Sequence, residues 1–371
     1  MTAFTPPIRE DLADSQPYGA PQLDVPVRLN VNENPFALPA ELATAIGQAV
    51  AQIAPELNRY PDREAVALRE ELANYLARES GVEVVGDQVW PANGSNEVMH
   101  QIFLAFGGPG RTAISFDPTY SMYPEYARDT FTRYLTFPRK QDFGIDPAAA
   151  VALIKDKRPS IVLLTSPNNP TGTALPTGDL IVIADAALAH NAVLVVDEAY
   201  AEFRHAGTPS ALELLGDYPN LIVSRTMSKA FGLAGARVGY AIADVRLIDA
   251  LRIVRLPYHL SAVTQAVAIT ALQHSEVLQQ QVDTLREERD ALSVWLVGQG
   301  FTVAPSDANF ILFGMFKDRD VVWQSLLDQG VLIRQTGPQG WLRVSIGTPV
   351  ENDRFRLALE RASGTEQEAA Q

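Results

Sequence analysis

The chain has 371 residues, 47% of them hydrophobic and 20% charged, with a net charge of −14 and no cysteine. Its length suits a large apolar core in two lobes; the acidic balance argues against a nucleic-acid or anionic-membrane surface, and the missing thiols exclude a disulfide framework and a thiolate metal site. No apolar run approaches the ~20 residues of a membrane span, the N-terminal stretch lacks the pattern of a secretory signal, and the expected compartment is the cytoplasm.

Residues 1–40 are proline-rich and irregular, with Pro17-Tyr18-Gly19 and Asn32-Glu33-Asn34-Pro35. A proline-interrupted segment of this kind cannot form a regular helix. It is either a loose tail or an ordered flap that carries Tyr18 to a site, with the apolar run Val25–Val31 as its anchor. Helices are expected over Glu41–Ala54 and Asp62–Arg78, the second with Asp62 as its N-cap and Leu68, Leu72 and Leu76 on one face. Tyr60 falls in the turn between them. Asn93-Gly94-Ser95-Asn96-Glu97 then opens an apolar helix to Phe106. A glycine and a small hydroxyl residue at a helix start point free N–H groups outward, which makes either an anion site or merely a capped helix. A strand is expected over Thr112–Phe116, with Tyr120 just past its end, placed to stack on a flat ring or simply to pack.

From there the pattern alternates. Apolar strands at Ser160–Thr165, Ala192–Val196 and Leu221–Ser224 are separated by a helix near Thr177–His190 and by loops. They end at Ser-Pro-Asn-Asn-Pro-Thr-Gly, at Asp197-Glu198-Ala199-Tyr200 and at Thr226-Met227-Ser228-Lys229. Strands apolar on both faces indicate a parallel sheet, and open α/β sheets bind ligands beyond the carboxyl ends of their strands. Asn169, Asp197 and Lys229 each follow such an end. Helical patterns from Ser261 to Gly298 lead to a mixed region with strands at Asn309–Phe313 and Trp341–Ile346 and helices at Arg319–Gln329 and Glu351–Ala362. The expected organisation is an N-terminal arm over 1–54 that joins the small domain, a large α/β domain over 55–260 with a mainly parallel sheet between helices, and bridging helices with a smaller α+β domain over 261–371.

A lysine beside hydroxyls at a strand end, with Arg237 a short loop away, suits a ligand that carries both an aldehyde and a phosphate. Pyridoxal 5'-phosphate is such a ligand. Lys229 can form a Schiff base with the aldehyde, provided a water-poor site keeps its amine neutral. Asp197 can hold the pyridine nitrogen protonated, Tyr200 and Asn169 can donate to the phenolic oxygen, and Tyr120 can cover the ring. Gly94, Ser95, Asn96, Thr226, Ser228 and Arg237 can hold the phosphate. Arg334 and Arg343 remain; an arginine inside an apolar strand serves a structural ion pair or clamps a substrate carboxylate or phosphate. The clamp is the favoured role for Arg343. No metal is called for.

The segments NENPF, NRYPD, NGSNE, PTYSMY, SPNNPTG, VVDEAY, TMSKAFGLAGARVGY, RLPYHLS, ANFILF and LRVSIGT, in this order from about Tyr18 to Glu360, resemble the fold-type I pyridoxal-phosphate-dependent aminotransferases of class I/II. PYGAP, NENP and RLPYHLS point, less specifically, to the subfamily acting on histidinol phosphate. The resemblance implies a homodimer in which Tyr60 reaches the cofactor phosphate of the other subunit, and it places Tyr18, Asn96, Tyr120, Tyr258, Arg334 and Arg343 around the substrate, with Asn309 positioning Arg343. It makes Lys229 the covalent attachment point and the proton shuttle. The implied reaction exchanges an amino group between L-histidinol phosphate and 2-oxoglutarate, giving imidazole-acetol phosphate and L-glutamate. Aromatic amino-acid aminotransferases share nearly all these motifs. A threonine-phosphate decarboxylase-like lyase and a cofactor-binding regulator are further alternatives; the regulator would need a basic DNA-binding domain that the sequence lacks.

Overall fold

The apolar runs form the centre of a seven-stranded sheet in a computed structural model that describes Phe4 and residues 6–368. The outermost residues of the two terminal segments, 1–54 and 261–371, lie outside the described residues. In space the strands run Val89–Ala92, Gly239–Ala243, Leu221–Thr226, Val193–Asp197, Ile161–Thr165, Thr112–Asp117, Arg133–Pro138. All neighbours are parallel except Gly239–Ala243, which is antiparallel to both strands beside it. Every residue of Ile161–Thr165 and Leu221–Thr226 is buried, because both faces are covered. Val162, Leu164, Leu194 and Val196 pack with Leu180 and Ile183 of the helix Thr177–Ala189, while Ile161, Leu163 and Val195 pack with Met99 and Ile102 of the helix Ser95–Phe106. The strand period of two therefore sends alternate residues into two different cores.

Several local expectations shift. The edge strand Arg133–Pro138 is half-exposed and carries no apolar run, so its period is not visible in the sequence. The helix expected from Asp62 starts at Val66, because Ala65 sits at φ 47° and interrupts it. Asp62 still caps it from a turn earlier, accepting the backbone N–H of Glu64 at 3.0 Å and of Val66 at 2.8 Å. The long pattern to Gly298 divides into Ala262–Gln273 and Ser275–Gly298.

Beyond it, Trp341–Ser345, Phe310–Gly314 and Thr302–Val303 form a three-stranded antiparallel sheet, joined by the helices Arg319–Asp328 and Pro349–Glu368. The N-terminal segment is anchored there: Val27–Arg28 pairs in parallel with Val331–Leu332, and Leu29 accepts the Ser345 N–H at 2.9 Å. Residues 30–32 are thereby carried to the ends of the central strands. No helix among the described residues is long and apolar enough to cross a membrane.

Beneath those strand ends lies a buried ion cluster. Arg225, wholly buried, meets Glu79 at 2.6 Å and Glu198 at 2.9 Å, and Ser210 Oγ and the Ala211 N–H each donate to Glu198 at 2.7 Å. Burial would raise the Glu198 carboxyl, but Arg225 and Arg204 hold it below the usual range. Removing one partner of such a cluster strands the others without water. Arg225→Ala is expected to cost about 3–5 kcal/mol, read as a lower denaturant midpoint at unchanged slope.

Candidate active site

A cavity of about 270 Å3 opens at the carboxyl ends of the parallel strands. Lys229, three residues past the strand Leu221–Thr226, points its Nζ at the carbonyl of Val31, 3.0 Å away. Burial, with Arg343 and Arg237 nearby and only Glu33 opposing, pushes its ammonium down to about 8. Roughly a tenth of the amine is therefore neutral at pH 7, far more than for an exposed lysine, and attack on a carbonyl requires that neutral form.

Asp197 closes the neighbouring strand. Its Oδ2 accepts a 2.9 Å hydrogen bond from Tyr123, whose hydroxyl also meets Thr165 Oγ1 at 2.8 Å. Its Oδ1 is buried without a partner. Burial pushes this carboxyl up to about 6, against the pull of Tyr123 and the Ala199 N–H. An orphaned buried acceptor on a cavity wall is costly unless a donor arrives. The Tyr200 hydroxyl faces the same space and accepts from Asn32 Nδ2 at 3.0 Å and Asn169 Nδ2 at 3.4 Å.

On another wall the helix Ser95–Phe106 begins without a side-chain cap. Gly94, at φ 80°, lets Arg237 approach so closely that a Cβ there would lie 2.5 Å from Nη2. Ser228 Oγ lies 3.5 Å from Arg237 Nη1 and 3.0 Å from Thr226 Oγ1. Free helix N–H groups, a helix dipole, two hydroxyls and a guanidinium converge on one spot, which is a donor set for a phosphate.

Arg343 and Arg334 exchange backbone hydrogen bonds of 3.0 and 2.9 Å, so two guanidiniums rise beside each other. Arg343 is buried, yet its acceptors are the neutral Asn169 Oδ1 and Asn30 carbonyl, and its Nε has none. Burial, with Arg334 adding to it, pushes Arg343 down to about 10, although Tyr200 opposes the shift. Among the described residues neither arginine forms an ion pair with a carboxylate. Four cations, Lys229, Arg237, Arg334 and Arg343, line the cavity against one acid, Asp197.

Tyr18 also lines it, held by a 2.8 Å hydrogen bond to Ser121, and Tyr120 bonds to Asn96 at 3.2 Å. Tyr60 and Tyr258 lie elsewhere. They stack on each other, centroids 4.4 Å apart at 14°, and Tyr60 is 80% exposed. Asn309 bonds to the carbonyls of Asn32 and Glu33, not directly to the Arg343 side chain. Tyr123, Thr165, Asn32 and the Val31 carbonyl were missed from the sequence. Tyr123 reads there as one more packing aromatic, and a backbone carbonyl carries no sequence signal at all.

Residues 25–359 match the family model for aminotransferase class I and II. The chain belongs to this family. It is 60% identical to the histidinol-phosphate aminotransferase of Thermobifida fusca over 96% of each chain, and 56% identical to that of Bifidobacterium adolescentis over 95% of this chain and 94% of the other. Among solved structures, the histidinol-phosphate aminotransferase of Sinorhizobium meliloti in complex with pyridoxal-5'-phosphate superposes with a TM-score of 0.81 at 26% identity, over 91% of both chains. The aspartate aminotransferase of Thermus thermophilus with maleate gives 0.79 at 26% identity over 90% of both.

A lysine neutralises as pH rises through its pKa. In cofactor-free protein, acylation of Lys229 by an amine-directed reagent, followed by peptide mapping, is expected to be half-maximal near pH 8. A midpoint at the ~10.4 of a free lysine would show that the cavity does not desolvate it.

Proposed function

We propose that the protein is a pyridoxal-phosphate-dependent transaminase that moves the amino group of L-histidinol phosphate to 2-oxoglutarate, giving imidazole-acetol phosphate and L-glutamate. The observation that carries the site assignment is the convergence of the Lys229 amine, the unpartnered Asp197 Oδ1 and the Gly94–Arg237 cradle on one cavity. The identity with the histidinol-phosphate aminotransferases supports the substrate.

The residues present fit the cofactor. Asp197 Oδ1 would accept the pyridine N–H; Ser95, Asn96, Thr226, Ser228 and Arg237 would hold the phosphate; Tyr120 would cover the ring; Lys229 would bind the aldehyde covalently. When bound, the cofactor supplies a carbonyl that takes up amines and a ring that accepts an electron pair. The chain supplies the rest. Asp197 keeps the nitrogen protonated, while Tyr200 and Asn169 offer neutral donors to the phenolic oxygen. Lys229 Nζ, when it is not joined to the aldehyde, would be the base that takes the proton from the substrate carbon bearing the amino group.

Arg343, lacking a carboxylate partner, presents a fork that suits either the carboxylate of glutamate or the phosphate monoester of the other substrate. Arg334, Asn96, Tyr18 and Tyr258 complete the substrate contacts in this proposal. The protein acts as a homodimer in which Tyr60 serves the phosphate of the neighbouring subunit's cofactor. The exposure of Tyr60 and its absence from its own cavity's lining support that role, as do exposed Leu57, close to it in sequence, and exposed Ile253 and Leu256, close in sequence to its stacking partner Tyr258. A cytoplasmic location agrees with a chain free of cysteine.

Two measurements test these assignments. After borohydride treatment, wild-type protein is expected to retain the cofactor through denaturation, whereas Lys229→Ala retains none and does not turn over. With 2-oxoglutarate as acceptor, kcat/KM for L-histidinol phosphate is expected to exceed that for L-phenylalanine by ~100-fold or more, about 2.7 kcal/mol of differential transition-state binding. Comparable values would instead indicate a general aromatic aminotransferase.

A further inference from the structure

Three consecutive residues of the N-terminal segment each hold a different side chain of the cavity. The Asn30 carbonyl accepts from Arg343 Nη2 at 3.0 Å, the Val31 carbonyl from Lys229 Nζ at 3.0 Å, and Asn32 Nδ2 donates to the Tyr200 hydroxyl at 3.0 Å. Asn32 is the only one of the three that acts through its side chain, and it is buried, with φ at 56°, a left-handed conformation that asparagine tolerates better than most residues.

The orientation of its amide follows from its other partners. Ser345 Oγ accepts the Asn32 backbone N–H at 2.8 Å and donates its proton to Asn32 Oδ1 at 2.9 Å. A flipped amide would replace the acceptor of the Ser345 proton with an N–H donor and leave that proton without its partner. Asn309 fixes the backbone by donating to the Asn32 carbonyl at 3.0 Å. With Oδ1 committed to Ser345, Nδ2 faces Tyr200. The same logic holds for Asn169, whose Oδ1 accepts from Arg343 and whose Nδ2, 3.4 Å away, also faces Tyr200. Two N–H donors thus occupy the acceptor capacity of the Tyr200 oxygen, and neither amide offers that hydroxyl an acceptor. Its proton is left to point into the cavity.

We propose that Asn32 is a positioning residue of this enzyme: locked by Ser345, it donates to Tyr200 and so compels the Tyr200 hydroxyl to donate to the phenolic oxygen of the bound cofactor. The inference rests on the functional assignment above and deepens it. A hydroxyl that accepts hydrogen bonds is itself a stronger donor. Burial pushes the Tyr200 phenol up, while Arg343 and the Asn32 hydrogen bond oppose that shift. Stronger donation stabilises the anionic phenolic oxygen and lets the lysine-bound cofactor lose its proton at lower pH.

The test reads the absorbance of the bound cofactor against pH, in the holoenzyme without substrate. Asn32→Gly removes the donor and keeps the left-handed backbone accessible. The midpoint of the absorbance change is expected to rise by about one unit, a tenfold change in the proton equilibrium. In a Tyr200→Phe background the same substitution is expected to leave the midpoint where it is, because the hydroxyl through which Asn32 acts is gone. Asn32→Asp presents an acceptor instead and is expected to raise the midpoint further. The part of its shift that survives in Tyr200→Phe measures the added charge alone. The charged groups facing Tyr200 and Lys229, namely Arg343, Asp197, Glu33 and Arg237, are untouched by Asn32→Gly. Ser345→Ala, which frees the amide to turn, is expected to shift the midpoint in the same direction and serves as the second route should Asn32→Gly fail to bind cofactor. A wild-type transition whose midpoint is unmoved by Asn32→Gly and Ser345→Ala, or moved equally with and without the Tyr200 hydroxyl, would overturn the inference alone. A wild-type holoenzyme with no pH-dependent cofactor absorbance would overturn the functional assignment and the inference with it.

Discussion

Asp197, Tyr200, Thr226, Ser228 and Lys229 hang from the ends of two adjacent strands, and those ends are held by the buried meeting of Arg225 with Glu198. Glu198 lies between Asp197 and Tyr200, and Arg225 precedes Thr226, Ser228 and Lys229 on the neighbouring strand. The Glu198 N–H also donates to the Ser224 carbonyl at 2.8 Å, extending the ladder one step past the regular pairing. Alternation along a strand then does the sorting. Arg225 and Glu198 turn toward each other in the interior, while their neighbours Thr226 and Asp197 line the cavity. An ion pair that is dry and hydrogen-bonded on all sides tolerates little displacement, so it makes a firm base for side chains that need fixed directions.

The second constraint is electrostatic. A chain with a net charge of −14 repels anions at long range, yet its cavity gathers Lys229, Arg237, Arg334 and Arg343. Solvent screening confines the acidic exterior to about a Debye length, ~8–10 Å at ordinary ionic strength. Inside, desolvation magnifies the local cations. Arg343, held only by neutral oxygen acceptors, is the extreme case: the fold leaves a buried cation without a counter-charge on the cavity wall, which fits the proposed binding of an anion there. Burial first, and then the neighbouring Arg343 and Arg237, push the Lys229 ammonium down, so one arrangement suits both of the roles proposed for this cavity, anion capture and nucleophilic attack.

Much of this is legible in the sequence. The apolar runs followed by Asn169, Asp197 and Lys229 indicate a parallel sheet, because continuous Val, Ile and Leu suit a strand buried on both faces, and the cavity does open at the carboxyl ends of those strands. Asp197, Tyr200, Lys229 and Arg237 sit within a few residues of those ends, so chain proximity sufficed to place them together. The edge strand Arg133–Pro138 was not legible, since half-exposed strands obey no apolar pattern. Nor was the start of the helix at Val66, which depends on a left-handed Ala65 that no propensity suggests. Tyr258 and Tyr60 were assigned by resemblance. In the single chain they stack together at the surface, a placement that neither residue's sequence neighbourhood indicates.

The sequence by itself determined the parallel centre of the sheet, most of its helical cover and which polar residues follow the strand ends, because these follow from hydrophobic period and from residues close along the chain. Tertiary structure alone decided what reaches the site from afar. Asn32 meets Tyr200 across 168 residues and Val31 meets Lys229 across 198, Tyr123 finds Asp197, and Arg343 comes from the far end to Asn169. Each of these contacts depends on how the N-terminal segment pairs with Val331–Leu332 and how the separate elements pack, and on the direction of single hydrogen bonds. Local sequence carries no record of either, because a hydrogen bond between residues far apart along the chain acquires its geometry only when the intervening cores have closed.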